Sequence, residues 1–219
     1  MAHLGPADRP TRLWCLVASL APDVDGLGLL FGPAAYGRYH HRLTHNLLFG
    51  VAVTLLSVRW VGLRALPLGL VFLAFLSHLV GDFFGSGPRW PLWPFLPFSD
   101  ISLLCACQWD LVSWQNTLIT IVAMAVTLGL AIRDGRTPLE FVHAGLERTV
   151  VDTLQLRAHP APCAECPTRA SVRCHACDRL LCEGHVATRR RLRPRCADCA
   201  SALPDPPADP AIDPVSGRR

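Results

Sequence analysis

Aspartate and histidine recur together at the ends of apolar segments in the first half of the chain. They are Asp23 and Asp25 in APDVDG, His40, His41 and His45 in YHHRLTH, and His78 and Asp82 in SHLVGD. An ionisable side chain beside a membrane-like stretch is costly, at roughly 3 kcal/mol for an Asp at the centre of a spanning helix. Taken singly, each of these residues is explained as well by a hydrogen bond at a helix end. As a set they point to a single metal centre at a membrane face. Imidazole with carboxylate is ligand chemistry for zinc, manganese or iron. An open coordination position on such an ion lowers the pKa of bound water and suits hydrolysis. His78 and Asp82 are four residues apart, so a helix puts them on one face. His41 and His45 share that spacing, whereas His40 and His45 need a turn or a helix start between them. Asp23 and Asp25 flank Val24 in a segment broken by Pro22 and Gly26.

A second set lies near the C-terminus, in CAECPTRASVRCHACDRLLCEGHVATRRRLRPRCADC. Cys163/Cys166, Cys174/Cys177, Cys182/His185 and Cys196/Cys199 each enclose two residues. Eight such ligands satisfy two tetrahedral zinc ions with no position left open, so these ions are structural. A domain this small needs its metal to fold. His175, inside a knuckle, reads as a bystander. Cys15, Cys105 and Cys107 sit in apolar surroundings and read as buried small hydrophobes. The basic run at 189–195 has no aromatic stacking platform, so a nucleic-acid partner is not expected. Membrane lipid or a cytoplasmic protein suits it better.

The elements that must position these residues are largely apolar. Of 219 residues, 51% are hydrophobic and 17% charged, against about 25% charged in soluble domains. All 21 basic residues other than histidine are arginine, a bias that fits a GC-rich bacterial genome and weakens the net charge as evidence for nucleic acid. The first residues, MAHLGPADRPTR, do not read as a signal peptide. Apolar runs at 46–63, 66–80 and 117–132 predict three membrane helices, with a shorter apolar helix at 13–21. Arg9 and Arg12, Arg59 and Arg64, and Arg133 and Arg136 then fall on one side, which the positive-inside rule makes cytoplasmic. The Asp/His set falls on the other side, with Arg38, Arg42 and Arg89. The Trp- and Pro-rich stretch 83–98 reads as an interfacial loop, or as a rim over the metal site. Thr137, Pro138 and Glu140 form a capping-box pattern, and Leu139, Val142, Leu146, Val150 and Leu154 continue an amphipathic helix. It lies on the membrane face or packs on the next domain. The chain after Leu203 is too rich in Pro and Asp to fold alone.

APDVDG, YHHRLTHN and SHLVGD, followed by LWPFLPFSD, resemble the YdjM-type family of LexA-binding, inner-membrane-associated metal-dependent hydrolases over residues 13–132. The resemblance implies a metal or catalytic set of Asp23, Asp25, His40, His45, His78 and Asp82. The family's relation to zinc-dependent phospholipases C implies phosphoester hydrolysis. The resemblance favours His40 where helical spacing favours His41, and both stay candidates. Family members carry a further histidine on a longer N-terminal helix, for which His3 is a poor substitute. No residue here carries the LexA association.

The cysteine-rich segment resembles a B-box-type zinc finger of the cross-brace class over residues 160–200. That resemblance implies one zinc on Cys163, Cys166, Cys182 and His185, and another on Cys174, Cys177, Cys196 and Cys199. Sequential pairing is the alternative.

The expected molecule is an all-α membrane protein of three or four helices with a small C-terminal cross-brace zinc-finger domain. Its expected parts are a hydrolase domain at 1–133, a helix and linker at 134–159, a double-zinc domain at 160–200 and a disordered tail at 201–219. It would sit in the bacterial inner membrane with the zinc domain cytoplasmic. It would bind two structural zinc ions and at least one further divalent metal. The expected function is hydrolysis of a phosphoester, lipid-like in one version, with Asp25, Asp82 and His45 in the catalytic roles. The alternative is a non-catalytic anchor that presents the zinc finger to a partner. A transporter fits less well, because the polar residues cluster at helix ends.

Overall fold

The computed structural model of the chain describes residues 7–88, 90–190 and 193–202. His3, Arg89, residues 191–192 of the basic run and the tail from 203 lie outside the described residues. The chain divides into two units, Met1–Leu130 and Ala131–Arg219. Each is taken by itself.

The described residues form seven α-helices and three 3-10 segments, where three or four helices were expected. The additional pieces are short and broken by Pro and Gly, so they leave no long apolar run in the sequence. In the first unit α1 is Arg9–Leu20, followed by a 3-10 helix at Pro22–Phe31 and by α2 at Pro33–Tyr39. Then come α3 at Leu47–Val61, α4 at Ala65–Gly85 and α5 at Trp114–Asp134.

Helices α4 and α5 are each 21 residues long and apolar enough to cross a membrane. The 3-10 helix continues α1 with a bend of 46°, and the pair counts as a third candidate if it is one broken span. The apolar run at 46–63 forms a shorter helix than expected and does not reach the length of the candidates above. Helix α3 has only 15 residues, about 22 Å at 1.5 Å per residue against a hydrocarbon core of about 30 Å. Gly62, at φ +73°, stops it in a conformation that glycine adopts without a Cβ penalty.

Helices α1 and α3 pack along α4. The core joins Cys15 and Ala18 of α1, Val53 of α3, and Val71, Ala74, Phe75 and Leu79 of α4. Gly50 lets α3 approach closely: a Cβ there would lie 2.6 Å from the ring of Phe75. Gly50→Ala is therefore expected to destabilise this unit by about 1–3 kcal/mol through overpacking. Thermal unfolding in detergent measures it. The outward faces remain apolar, with Leu55, Leu66, Leu73, Val80, Ile119, Val122 and Met124 all exposed. Patches of this kind are a liability in water and ordinary against lipid.

Two polar ties fix the ends of this bundle. Asp8 accepts the backbone N–H of Thr11 to cap α1, and also pairs with Arg64 at 2.6 Å beside the start of α4. Near the other end the Nδ1 of His78 lies 2.8 Å from the Ser19 carbonyl oxygen. The two helices thus run parallel, with Arg9, Arg12 and Arg64 at one end and His78 and Asp82 towards the other. The segment after α4 folds back over that second end. Gln108 Nε2 donates to the carbonyls of Asp82 and Trp90, and Trp109 N donates to the Phe84 carbonyl. Cys105 and Cys107, expected as buried hydrophobes, are instead half-buried and exposed and form a disulfide. Cys15 is buried as expected.

The second unit holds a 3-10 turn at Pro138–Phe141 and α6 at Ala144–Ala158. The antiparallel strands β1 (Val172–Arg173) and β2 (Leu180–Leu181) follow, then a 3-10 turn at Glu183–His185. A second antiparallel pair, β3 (Thr188–Arg190) and β4 (Arg193–Arg195), precedes α7 (Ala197–Ser201). Thr137 caps as expected, with its hydroxyl accepting the Leu139 N–H at 3.2 Å and Pro138 opening the turn, but the turn is a short 3-10 segment. The Thr137 N–H meets the carboxylate of Glu147 at 3.0 Å, and α6 starts later, capped by His143 Nδ1 on the Leu146 N–H. The amphipathic helix packs on the cysteine-rich segment. Arg148 of α6 bonds the carbonyls of Cys174 and His175 and pairs with Asp178. Arg169 returns to the carbonyls of Leu156 and Arg157.

Candidate metal centre

The candidate residues of the first unit come from three elements. Asp23 and Asp25 lie on the 3-10 helix, where Pro22 and the following glycines disfavour an α-helix. His40, His41 and His45 lie in an irregular turn between α2 and α3, so the shared helical face expected for His41 and His45 is corrected. Asn46 closes that turn by capping α3 at the Phe49 N–H, 2.9 Å away. His78 and Asp82 share a face of α4 as expected, with Nε2 and Oδ2 3.1 Å apart.

These side chains converge. His45 Nε2 lies 3.2 Å from Asp82 Oδ2 and 3.9 Å from Asp23 Oδ1. His78 Nε2 lies 3.5 Å from the same Asp23 oxygen. The distances are those of ion pairs, yet His45 Nε2, His78 Nε2 and Asp82 Oδ2 are buried with no aligned hydrogen-bond partner. Buried polar atoms are rarely left so. The opposite ring nitrogens are accounted for: Nδ1 of His45 faces Asp25 Oδ2 at 3.1 Å, and Nδ1 of His78 faces the Ser19 carbonyl. With Nδ1 donating, each Nε2 turns a lone pair towards the same point. Metal-binding histidines are held in this way by a carboxylate or carbonyl behind them. The residues present therefore fit a divalent cation held by Asp23, His45, His78 and Asp82.

Asp25 does not join that point. Its carboxylate is buried, with Oδ1 2.7 Å from His40 Nδ1 and Oδ2 between His45 Nδ1 and the Thr44 N–H. Both oxygens are committed to holding the turn. Asp25→Asn should keep the fold but weaken metal affinity by about 10–100-fold, the usual cost of losing an outer partner. Chelator competition measures the change.

His41 is nearly fully buried and takes φ +66°, while its Nε2 lies 3.8 Å from Asp82 Oδ2. Burial, reinforced by neighbouring His45, holds the His41 imidazolium down at about 4, so the ring is neutral. Burial also disfavours charge on His45, but the hydrogen bond to Asp25 and the nearby negative charge of Asp25 and Asp82 outweigh it and push its pKa up to about 9. A proton there stands where a cation would bind, and metal uptake would displace it.

The site opens into a cleft of about 860 Å³ lined by Asp23, Tyr36, His40, His41, His78 and Asp82 on one side. Ser86, Trp90, Asp110, Leu111 and Val112 line it as well. Tyr36 stacks on His40 at 4.5 Å, and Trp90 meets the rings of His40 and His41 edge-on. The sequence offered no signal for Tyr36, Ser86 or Asp110, because the return of the chain over the end of α4 is a tertiary event.

In the second unit Cys163, Cys166, Cys182 and His185 form one group, and Cys174, Cys177, Cys196 and Cys199 form another. Metal–ligand bonds of about 2.3 Å to sulfur and 2.0–2.1 Å to nitrogen imply tetrahedral edges of about 3.5–3.8 Å. Cys166 and Cys182 sulfurs are 3.7 Å apart, Cys177 and Cys196 sulfurs 3.8 Å, and His185 Nδ1 lies 3.5 Å from Cys166. The four pairs thus alternate in the cross-brace order, and each group can hold zinc. His175 lies outside both groups. Hydrogen bonds from Thr168 and His185 bring the Cys182 thiol down to about 6. In the other group Cys174 falls to about 6, where backbone N–H donors outweigh burial, while contacts with Cys196 and Cys177 push Cys199 up to about 12.

Searches of characterised proteins and of solved structures returned no match. A family model, described as YdjM inner membrane protein, matches residues 2–146, which include every Asp and His of the cleft described above. With the match covering more than half of its length, the chain belongs to the YdjM inner membrane protein family.

Proposed function

We propose that the chain is a membrane-bound, metal-dependent hydrolase whose active site is the cleft at the end of α4. The observation that carries this reading is the convergence of His45 Nε2, His78 Nε2 and Asp82 Oδ2, buried and without hydrogen-bond partners, beside an open cleft that His78 and Asp82 line. A divalent cation there supplies Lewis acidity and an activated water. The chain's own residues do the rest. Asp23, His45, His78 and Asp82 hold the cation, Asp25 and the Ser19 carbonyl orient the imidazoles, and Asp82, which lines the cleft, is placed to accept a proton. Asp25 is a positioning residue in this scheme. Leu111 and Val112 on the rim, with Trp114 beyond them, suit a substrate with an apolar portion, so a lipid-like phosphoester is the favoured class.

We place the cleft on the outer side of the bacterial inner membrane and the second unit in the cytoplasm. The tie between Asp8 and Arg64 gathers the arginine-bearing helix starts at one end, which the positive-inside rule assigns to the cytoplasm. Helix α5 then returns the chain to that side, where Arg133 and Arg136 lie. The Cys105–Cys107 disulfide, on the cleft side of α5, suits an oxidising compartment. The zinc groups are coordinatively full and serve as a B-box-like module, structural in role and suited to a protein partner.

The test is a panel of phosphomonoesters, phosphodiesters and phospholipids offered to the full chain in detergent, with metal content measured alongside. Metal in the cleft with turnover of one class supports the reading. A protein whose only metal is zinc lost with its cysteine ligands is the non-catalytic anchor instead.

A further inference from the structure

The Cys105–Cys107 disulfide joins cysteines only two positions apart. A disulfide stabilises a fold mainly through the loop it closes, and least for the shortest loops. This pair therefore does little for the fold as a whole. It is also accessible, with Cys107 exposed and Cys105 half-buried. The Cys107 N–H donates to Cys105 Sγ at 3.1 Å, a bond that favours a thiolate at Cys105 once the pair opens. Accessible sulfur beside a stabilised leaving thiolate is the setting for thiol exchange.

Directly after the pair comes the strap over the end of α4. The Gln108 N–H returns to the Cys105 carbonyl at 3.3 Å and closes the turn that the disulfide clamps. From that turn Gln108 Nε2 donates to the Asp82 and Trp90 carbonyls, and the Trp109 N–H donates to the Phe84 carbonyl. The Trp109 ring stacks on Phe84 with centroids 5.9 Å apart. Gly85 makes room for it, since a Cβ there would lie 3.1 Å from Trp109 Nε1. Asp110, Leu111 and Val112 come next in the chain and line the cleft.

We propose that Cys105–Cys107 is a thiol-exchange site whose reduction releases residues 108–112 from the end of α4 and widens the mouth of the cleft. The co-reactant is a thiol. Its thiolate attacks Cys107 Sγ, the S–S bond breaks, and Cys105 leaves as the thiolate that the Cys107 N–H holds. A second thiolate attacks the mixed disulfide at the sulfur of the first thiol and releases Cys107. Two thiols become one disulfide, and the cysteine pair takes up the two electrons and two protons. This control of access stands whether or not the cleft is hydrolytic.

Reduced glutathione is the probe, on the full chain in detergent with its zinc groups loaded. Alkylation read by mass spectrometry should show Cys105 and Cys107 opening together, and closing again with oxidised glutathione. On reduction, amide hydrogen exchange at Gln108 and Trp109 should quicken by about tenfold, the factor for roughly one hydrogen bond lost. Leu92 and Leu103, which bond each other at 2.9 and 2.7 Å, should keep their rates, as should the core of α4. The double variant Cys105→Ser, Cys107→Ser should exchange like the reduced wild type in either buffer. A pair that glutathione leaves intact overturns the exchange site. Exchange at Gln108 and Trp109 that ignores reduction, or that stays slow in the double variant, overturns the release. Quickening that spreads through α4 overturns it too, because the disulfide is then a brace of the whole unit.

Discussion

Replacing His78 or His45 with alanine is expected, on the proposed reading, to empty the cleft of its metal and to reduce hydrolysis to background. Each residue turns Nε2 to a point shared with Asp82 Oδ2, and none of these three atoms has a hydrogen-bond partner. Each variant removes a direct ligand, so affinity should fall by more than the roughly 10–100-fold that losing an outer partner costs. Metal content and turnover should fall together in both variants. The cysteine-bound zinc should be unchanged, which separates a local loss from general unfolding. Full turnover in both variants would end the hydrolase reading. His78→Ala also frees the Ser19 carbonyl, and the resulting loosening of α1 against α4 is a smaller effect that thermal unfolding resolves.

The second large effect concerns the C-terminal unit. Stripping zinc, or replacing Cys174 or Cys182 with serine, should unfold the knuckles. A structural zinc contributes about 10–16 kcal/mol to a small domain of this kind. What holds the segment otherwise is slight: strands of two or three residues and a buried cluster of Val172, Cys174, Leu181 and Cys196, two of which belong to a candidate zinc group. The loss should spread to α6, because Arg148 grips the Cys174 and His175 carbonyls and Arg169 grips the end of the helix. Limited proteolysis reads the outcome as new cleavage within residues 144–202 after chelation, reversed by added zinc. Protection that survives complete zinc removal would show that packing alone folds the unit.

Much of the chemistry was legible because it rests on residue type and short spacing. The four-residue spacing of His78 and Asp82 needs only a helix to put both on one face, and α4 provides it. The regular pairs of cysteine and histidine carry their ligand count in the sequence. The short helices were not legible. Residues 33–39 make one short helix between Gly32 and the histidine turn, too brief to leave a periodic trace. The end of α3 was misplaced because Gly62 and Leu63 continue its apolar composition while the backbone has already turned at φ +73°.

The sequence by itself determined the membrane character, the two clusters of metal-ligand residue types and the motifs that place the chain in its family, since all of these depend on composition and local spacing. Tertiary structure decided the roles within the set. Asp25 and Asp82 are the same residue type at the end of a motif, yet one is enclosed by His40, His45 and Thr44 and the other faces the cleft. His40 and His41 are neighbours in sequence, and only the positive φ of His41 turns their rings to different partners. Which carboxylate orients a ligand and which becomes one depends on the direction of each side chain after α1, α3 and α4 have packed, and spacing along the chain does not encode that direction.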